Sequence, residues 1–171
     1  MKHEVEVKVR HPGDEKLEAL NPKYLKTVRQ VDTYLRHPCR DFRETDEAFR
    51  IRDEDGNLYV TYKGPRLDGE TKTRLEYEHP VDGDFSRMLE ALGFTAAAVV
   101  KKTRRLYEHG KYSICIDDVD GLGLYMEIET DDLDHREEIF RMLGQLGLGR
   151  KDSITESYLE LLEKRLKADE K

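Results

Sequence analysis

Glu4-Val5-Glu6-Val7-Lys8 sets charged and apolar residues in strict alternation near the start of the chain. Successive side chains of a β-strand point to opposite faces, so a strand here puts Glu4, Glu6, Lys8 and Arg10 on one side and Val5, Val7 and Val9 on the other. Two carboxylates one pleat apart can hold a divalent metal through hard oxygen ligands, and an ammonium one step on can hold the anion that the metal binds. An ordinary half-exposed strand with a wet face shows the same alternation. The pattern acquires chemical meaning only if other strands repeat it.

They do. With the same two-residue period, Gln30, Asp32 and Tyr34 share a face, as do Arg50 with Arg52 and Thr61 with Lys63. Arg74, Glu76 and Glu78 form another set, Asp117 falls in step with Cys115, and Glu127 pairs with Glu129. Each set is backed by apolar residues one position away, such as Val60 and Tyr62, Ile114 and Ile116, or Met126 and Ile128. The run Val99-Val100-Lys101-Lys102-Thr103-Arg104-Arg105 carries charge in both registers, so parity alone does not orient it.

The elements that must position these residues are mostly strands. The first spans about 3–10 and ends at His11-Pro12-Gly13. A short helix at 14–20 is stopped by Pro22. Strands are expected at 27–36, 48–52 and 58–63, the last two joined through Asp55-Gly56. A charged loop with Gly69 leads to a strand over 72–79. Asp84 can cap a helix over 85–92, closed by Gly93. Strands at 98–108 and 111–118 form a hairpin about Gly110, and Gly121-Leu122-Gly123 turns the chain into 124–130. A helix over 134–146 carries Ile139, Met142, Leu143 and Leu146 on one face. Ser153-Ile154-Thr155-Glu156 is a capping-box signature for a last helix to about 167, with Leu159, Leu162 and Leu166 as its stripe. No linker divides the chain, so residues 1–171 read as one domain.

Composition narrows the function classes. Charged residues make up 39% of the 171, against about a quarter in an average domain, and hydrophobic residues 37%. The net charge of −7 argues against nucleic acid as a partner, because the overall field repels it. No apolar run approaches the roughly 18 residues of a membrane span, and no signal peptide is visible. Cys39 and Cys115 fit neither metal spacing nor a disulfide framework, which points to reduced thiols and a cytoplasmic setting. The scattered histidines read as loop residues.

Two arrangements satisfy the parity. The apolar faces could meet as a sandwich with the charged faces wet, or the sheet could close with its charged face inward and helices over its apolar exterior. The amphipathic helices favour closure, since each needs an apolar sheet face to cover. The fold class expected is therefore mainly β (α+β), a closed eight-stranded antiparallel barrel with a charged lumen. An eight-stranded barrel holds side chains or one small ligand. A dry lumen with a dozen charges would be prohibitive, so the interior must be a watered tunnel. Acids and bases in similar number suit a polyanion carrying divalent metal, with Arg and Lys on phosphate oxygens and carboxylates on Mg2+ or Mn2+.

In this light Glu4-x-Glu6-x-Lys8 resembles the ExExK signature of the CYTH superfamily, the triphosphate tunnel metalloenzymes. The likeness continues in order through Gln30-x-Asp32-x-Tyr34, Phe49-Arg50-Ile51-Arg52, Tyr62-Lys63-Gly64-Pro65, Arg74-x-Glu76-x-Glu78 and Lys102-Thr103-Arg104. It extends over Asp117, Gly121-Leu122-Gly123-x-Tyr125-x-Glu127-x-Glu129 and Ser157-Tyr158-x-x-Leu161-Leu162. The resemblance is nearest to class IV, CyaB-type adenylyl cyclases. It implies an eight-stranded tunnel in which Glu4, Glu6, Glu127 and Glu129 hold metal. Lys8, Arg50, Arg52, Lys63, Arg74, Lys102 and Arg104 would hold a triphosphate, and Glu76, Glu78 and Asp117 would support or approach the metal. Glu4, Glu6, Lys8, Arg52 and Lys63 are the implied catalytic set, and Lys102 and Arg104 the inward pair of the ambiguous strand. The implied reaction is conversion of ATP to cyclic AMP and pyrophosphate. Hydrolysis of tripolyphosphate, thiamine triphosphate or a nucleoside triphosphate is the alternative, and a non-catalytic nucleotide- or polyphosphate-binding module the rival of another class. The expected partner is a small-molecule triphosphate, with no membrane; a homodimer is left open.

Overall fold

The computed structural model describes residues 2–67 and 71–169; Gly69, with the residue on either side of it in the charged loop, lies outside the described residues. Eight strands close into one barrel in the order β1-β5-β4-β3-β2-β6-β7-β8. They are β1 (Lys2–Arg10), β2 (Lys23–Arg36), β3 (Ala48–Glu54), β4 (Asn57–Lys63), β5 (Arg74–Val81), β6 (Thr95–His109), β7 (Tyr112–Val119) and β8 (Gly123–Thr130). Every neighbouring pair is antiparallel. Four α-helices accompany them among the described residues: α1 (Asp14–Leu17), α2 (Gly83–Ala91), α3 (Arg136–Gln145) and α4 (Tyr158–Asp169).

The parity expected of the sequence is the parity of the wall. Val5, Val7, Val9, Ile114, Ile116, Met126 and Ile128 point outward and are buried against Leu17, Leu20 and the α3 residues Ile139, Phe140, Met142, Leu143 and Leu146. The charged set of the same strands is thereby turned into the lumen. β6 takes the register with Lys102 inward, while Lys101 is exposed and Arg105 pairs with Asp14 outside at 2.9 Å.

The β1–β5 seam is short. It pairs Lys2 with Glu76, His3 with Leu75 and Glu4 with Arg74, and past that point Lys72 N–H continues it, donating to the Glu6 carbonyl at 2.9 Å. The β7–β8 turn places Gly121 at φ 78°, and a Cβ there would stand 3.3 Å from Leu162 Cδ2. Glycine thus lets α4 lie close over this turn.

Several boundaries differ from the sequence expectation for physical reasons. α2 starts at Gly83 because Asp82, not Asp84, accepts the Asp84 N–H as the cap. β2 starts earlier, at Lys23, and β6 runs longer at both ends, since each pairs with the other beyond the rest of the barrel. The last helix starts at Tyr158, not after Ser153: Ile154 N–H donates to the Lys8 carbonyl at 2.8 Å, which holds that stretch extended. The capping box is Ser157 with Glu160, where Glu160 N–H donates to Ser157 Oγ at 3.2 Å and Ser157 N–H to Glu160 Oε2 at 2.6 Å.

Candidate active site: a charged tunnel

A cavity of about 750 Å3 occupies the barrel and is lined from all eight strands. Glu4, Glu6, Lys8, Arg50, Arg52, Lys63, Arg74, Glu76, Glu78, Lys102, Arg104, Glu127 and Glu129 all line it. Asp117 does not; it is fully buried behind the cations of its wall.

The acids fall into two kinds. Glu4, Glu6 and Glu129 bring one carboxylate oxygen each within 4.8 Å of the others. This is a hard, oxygen-only donor set, suited to Mg2+ or Mn2+. Burial, together with Glu4, Glu127 and Glu6, pushes Glu129 up to about 8 against the pull of Arg104. Carboxylates crowded in this way gain from a divalent cation, so the residues fit the metal. Glu127 stands apart from the cluster, 3.3 Å from Lys8 Nζ and 2.5 Å from Arg104 Nη2. Glu78 is exposed and accepts from Thr61 Oγ1 at 2.8 Å.

The second kind orients cations. Asp32 takes Arg50 and Arg52 from β3, and Asp117 takes Lys102 at 2.8 Å and Arg104 through Nε at 2.7 Å and Nη2 at 2.6 Å. Burial would raise the Asp32 carboxyl, but Arg50 and Arg52 hold it well below the usual carboxylate range. Burial would also raise Glu76, yet Lys63, 2.7 Å away, brings it down to about 2. Lys63 also meets Glu4 at 2.5 Å. Lys8 is fully buried, and burial with the Lys72 ammonium nearby draws it down to about 7.

Two guanidinium groups remain poised. Arg50 Nε and Arg74 Nε are buried donors without a hydrogen-bond partner among the described residues, and both side chains line the cavity. A buried donor left unmade costs about 1–3 kcal/mol, so such a pair is expected where an oxyanion completes the site.

Tyr158, at the start of α4, closes one part of the lumen. Its hydroxyl donates to Asp117 at 2.9 Å, and its ring lies 3.8 Å from Lys8 Nζ and 4.9 Å from Lys102 Nζ. Sequence reasoning noted Tyr158 and Asp32 as motif members without giving either a task. It placed Lys72 at the start of the fifth strand and gave it no role. Lys72 is buried, lines the cavity and meets Glu6 at 2.8 Å. It shares the parity of Arg74, Glu76 and Glu78, which was the available signal. Cys115 is buried on the lumen side and Cys39 exposed, both free. No helix among the described residues is long and apolar enough to cross a membrane.

Known proteins resemble the chain over nearly its whole length. The family model described as CYTH domain matches residues 2–158. The candidate adenylate cyclase MJ0240 of Methanocaldococcus jannaschii is 41% identical over 170 residues, which cover 92% of this chain and 97% of that one. Adenylate cyclase CyaB of Aeromonas hydrophila is 29% identical over 160 residues, 88% of this chain and 81% of that one. The solved structure of PH1819 from Pyrococcus horikoshii is 38% identical, superposes with a TM-score of 0.83 and covers 95% of this chain and 99% of that one.

Proposed function

The chain belongs to the CYTH domain family, and from that footing we propose that it is a divalent-metal-dependent enzyme that grips a triphosphate in its tunnel and converts ATP to cyclic AMP and pyrophosphate. One observation carries the triphosphate reading: the unpartnered donors of Arg50 and Arg74 line the same cavity as the Glu4, Glu6 and Glu129 carboxylates. A bare anion would have no use for the acids, and a bare cation none for the guanidiniums. The cyclase reading draws on the two adenylate cyclase names among the relatives.

The protein's part is positioning and charge neutralisation. Arg50, Arg52, Arg74, Lys102 and Arg104 meet the phosphate oxygens, with Asp32 and Asp117 fixing the cations from behind. Lys8 and Lys63 sit between acids and substrate. Glu4, Glu6 and Glu129, with Glu127 beside them, would hold a Mg2+ or Mn2+ ion, whose contribution would be to neutralise charge on the phosphates. In cyclisation the ribose 3′-oxygen bonds to the α-phosphorus as it gives up its proton, the bond from that phosphorus to the β-phosphate oxygen breaks, and pyrophosphate leaves.

Hydrolysis of the triphosphate is the second reading. It is favoured by the lining itself, whose charged groups answer a polyphosphate far more completely than a nucleobase. Here water bonds to the terminal phosphorus, the bond from that phosphorus to the bridging oxygen breaks, the diphosphate end leaves, and the attacked phosphorus with its new oxygen is released as orthophosphate. Product analysis after incubation with ATP, tripolyphosphate and thiamine triphosphate in Mg2+ or Mn2+ separates them. Cyclic AMP with pyrophosphate supports the first, orthophosphate supports the second, and binding without turnover supports a non-catalytic module. A cytoplasmic location, inferred from two free thiols, belongs to the same proposal.

A further inference from the structure

We propose that Lys72 is a built-in counter-cation of the metal site: its ammonium neutralises Glu6 until a divalent metal takes that carboxylate, and the triphosphate then receives the displaced ammonium. The inference rests on the metal-and-triphosphate reading above and adds a coupling between the two ligands.

Lys72 lies just before β5, where the β1–β5 seam has ended, yet it is only 4% exposed. Backbone bonds hold it there. Its N–H donates to the Glu6 carbonyl, Leu67 N–H donates to the Thr73 carbonyl at 2.8 Å, and the buried Thr71 and Thr73 hydroxyls meet at 2.5 Å. The chain thus delivers an ammonium to one chosen carboxylate, Glu6, at 2.8 Å.

That carboxylate also belongs to the three-acid cluster. A metal entering the cluster therefore competes with Lys72 for Glu6. The other nearby lysines lose less. Lys63 pairs with Glu4 but keeps Glu76, and Lys8 keeps Glu127 and the Glu156 carbonyl. Lys72 has Glu6 as its one salt-bridge partner among the described residues. A buried ammonium stripped of its acid is strongly unfavourable. Metal alone must bear that cost, whereas metal with a triphosphate supplies new oxyanions. The lysine stem is flexible and already lines the cavity, so Nζ can turn from Glu6 to a phosphate oxygen. Metal and triphosphate then each favour the other, as any such coupling must be reciprocal.

The test is a Mn2+ titration without triphosphate, followed by electron paramagnetic resonance, on wild type, Lys72→Met and Lys111→Met. It is paired with calorimetry of tripolyphosphate in excess chelator. Lys72→Met should bind Mn2+ about 10-fold more tightly and metal-free tripolyphosphate about 10-fold more weakly. Lys111 lines the cavity but pairs with Glu138, and its loss should leave Mn2+ affinity unchanged. A structural lesion would weaken both ligands, and a general field effect would make the two variants alike; either result overturns the proposal. Should Lys72→Met fail to fold, 15N-lysine-labelled wild type carries the test, since saturating Mg2+ should shift the Lys72 ammonium resonance and an unmoved resonance refutes displacement. If wild type binds neither Mn2+ nor tripolyphosphate, the functional reading falls and this inference with it. If it binds both and Lys72→Met leaves Mn2+ affinity unaltered, this inference alone falls.

Discussion

Asp32 holds Arg52 by two parallel hydrogen bonds, Nε to Oδ1 at 2.7 Å and Nη2 to Oδ2 at 2.8 Å, and the same Oδ2 takes Arg50 Nη1 at 3.1 Å. The carboxylate is 2% exposed, so it serves the two arginines and not the solvent. Asp32→Ala leaves two buried guanidiniums uncompensated. It should lower unfolding free energy by about 3 kcal/mol, as when one partner of a buried pair is removed. Urea denaturation measures this, and an unchanged midpoint would show that the grip contributes nothing to the fold.

The same pair sets an acid limb of stability. The Asp32 carboxyl is held below its unfolded value of about 3.9, so the folded chain releases that proton more readily than the unfolded chain. Its contribution is complete above that unfolded value and drains away as pH falls through it toward the folded one. Glu76, brought down to about 2, acts in the same direction. Unfolding free energy should therefore drop as pH falls from about 5 to about 2, and Asp32→Asn should flatten that slope. Parallel slopes for variant and wild type would refute the assignment.

Arg52→Ala tests what the tunnel reads. Loss of one charge-assisted contact should weaken ATP and tripolyphosphate alike by about 1.5–3 kcal/mol. Arg52→Lys should recover only part, because an ammonium cannot reproduce the two-point grip. Tripolyphosphate should displace ATP far better than AMP does. Equal competition by AMP would mean that the cavity reads the nucleoside.

Tyr158 ties α4 to the lumen by two separable interactions. Tyr158→Phe keeps the ring over Lys8 and loses the Asp117 hydrogen bond, which should cost about 1 kcal/mol in stability. Tyr158→Ala also removes the ring from the contacts with Tyr125, Val100 and Val119, and should cost about 3–5 kcal/mol. Thermal melts of the two variants decide this; equal losses would mean that the hydroxyl alone holds the helix.

The sequence made the two faces of the strands legible because one face packs against helices and the other against charge, which imposes a clean period of two. β6 escaped that logic, since Lys101 and Arg105 are as charged as Lys102 and Arg104. Only closure of the barrel tells the solvent pair from the lumen pair. The start of α4 escaped it too. Ser153-x-x-Glu156 and Ser157-x-x-Glu160 are equal as local signals, and the bond from Ile154 to Lys8 decides between them. Parity names the lumen residues but not their partners. That Asp32 faces Arg52 and Arg104 faces Asp117 follows from cross-strand register, which no single strand encodes. Lys72 is expected from the sequence at the start of the fifth strand, in step with Arg74, but β5 begins only at Arg74, and the contact of Lys72 with Glu6 depends on the backbone bond between them.

Glu6 and Glu129 share one cluster, yet their removal should act oppositely on the fold. Read from sequence, losing one lumen acid among several relieves repulsion and leaves stability nearly unchanged. The contacts give that result to Glu129 alone. Its ionised form is disfavoured by burial and by three neighbouring acids, so Glu129→Gln should leave the metal-free protein as stable as wild type or raise its melting temperature. Each kcal/mol gained is worth about 2–4 °C in a chain of this size. Glu6 instead stands between Lys72 at 2.8 Å and Lys8 at 3.9 Å, and Glu6→Ala takes from Lys72 its one salt-bridge partner among the described residues and leaves Glu127 as the salt-bridge partner of Lys8. That change should cost about 3 kcal/mol. Both variants should bind Mn2+ more weakly, because each removes a carboxylate from the set. Denaturation in excess chelator, run beside a Mn2+ titration, separates the two effects. A Glu6→Ala protein as stable as Glu129→Gln would show that Lys8 and Lys72 do not depend on Glu6, and the arrangement drawn here for the metal site would fail with it.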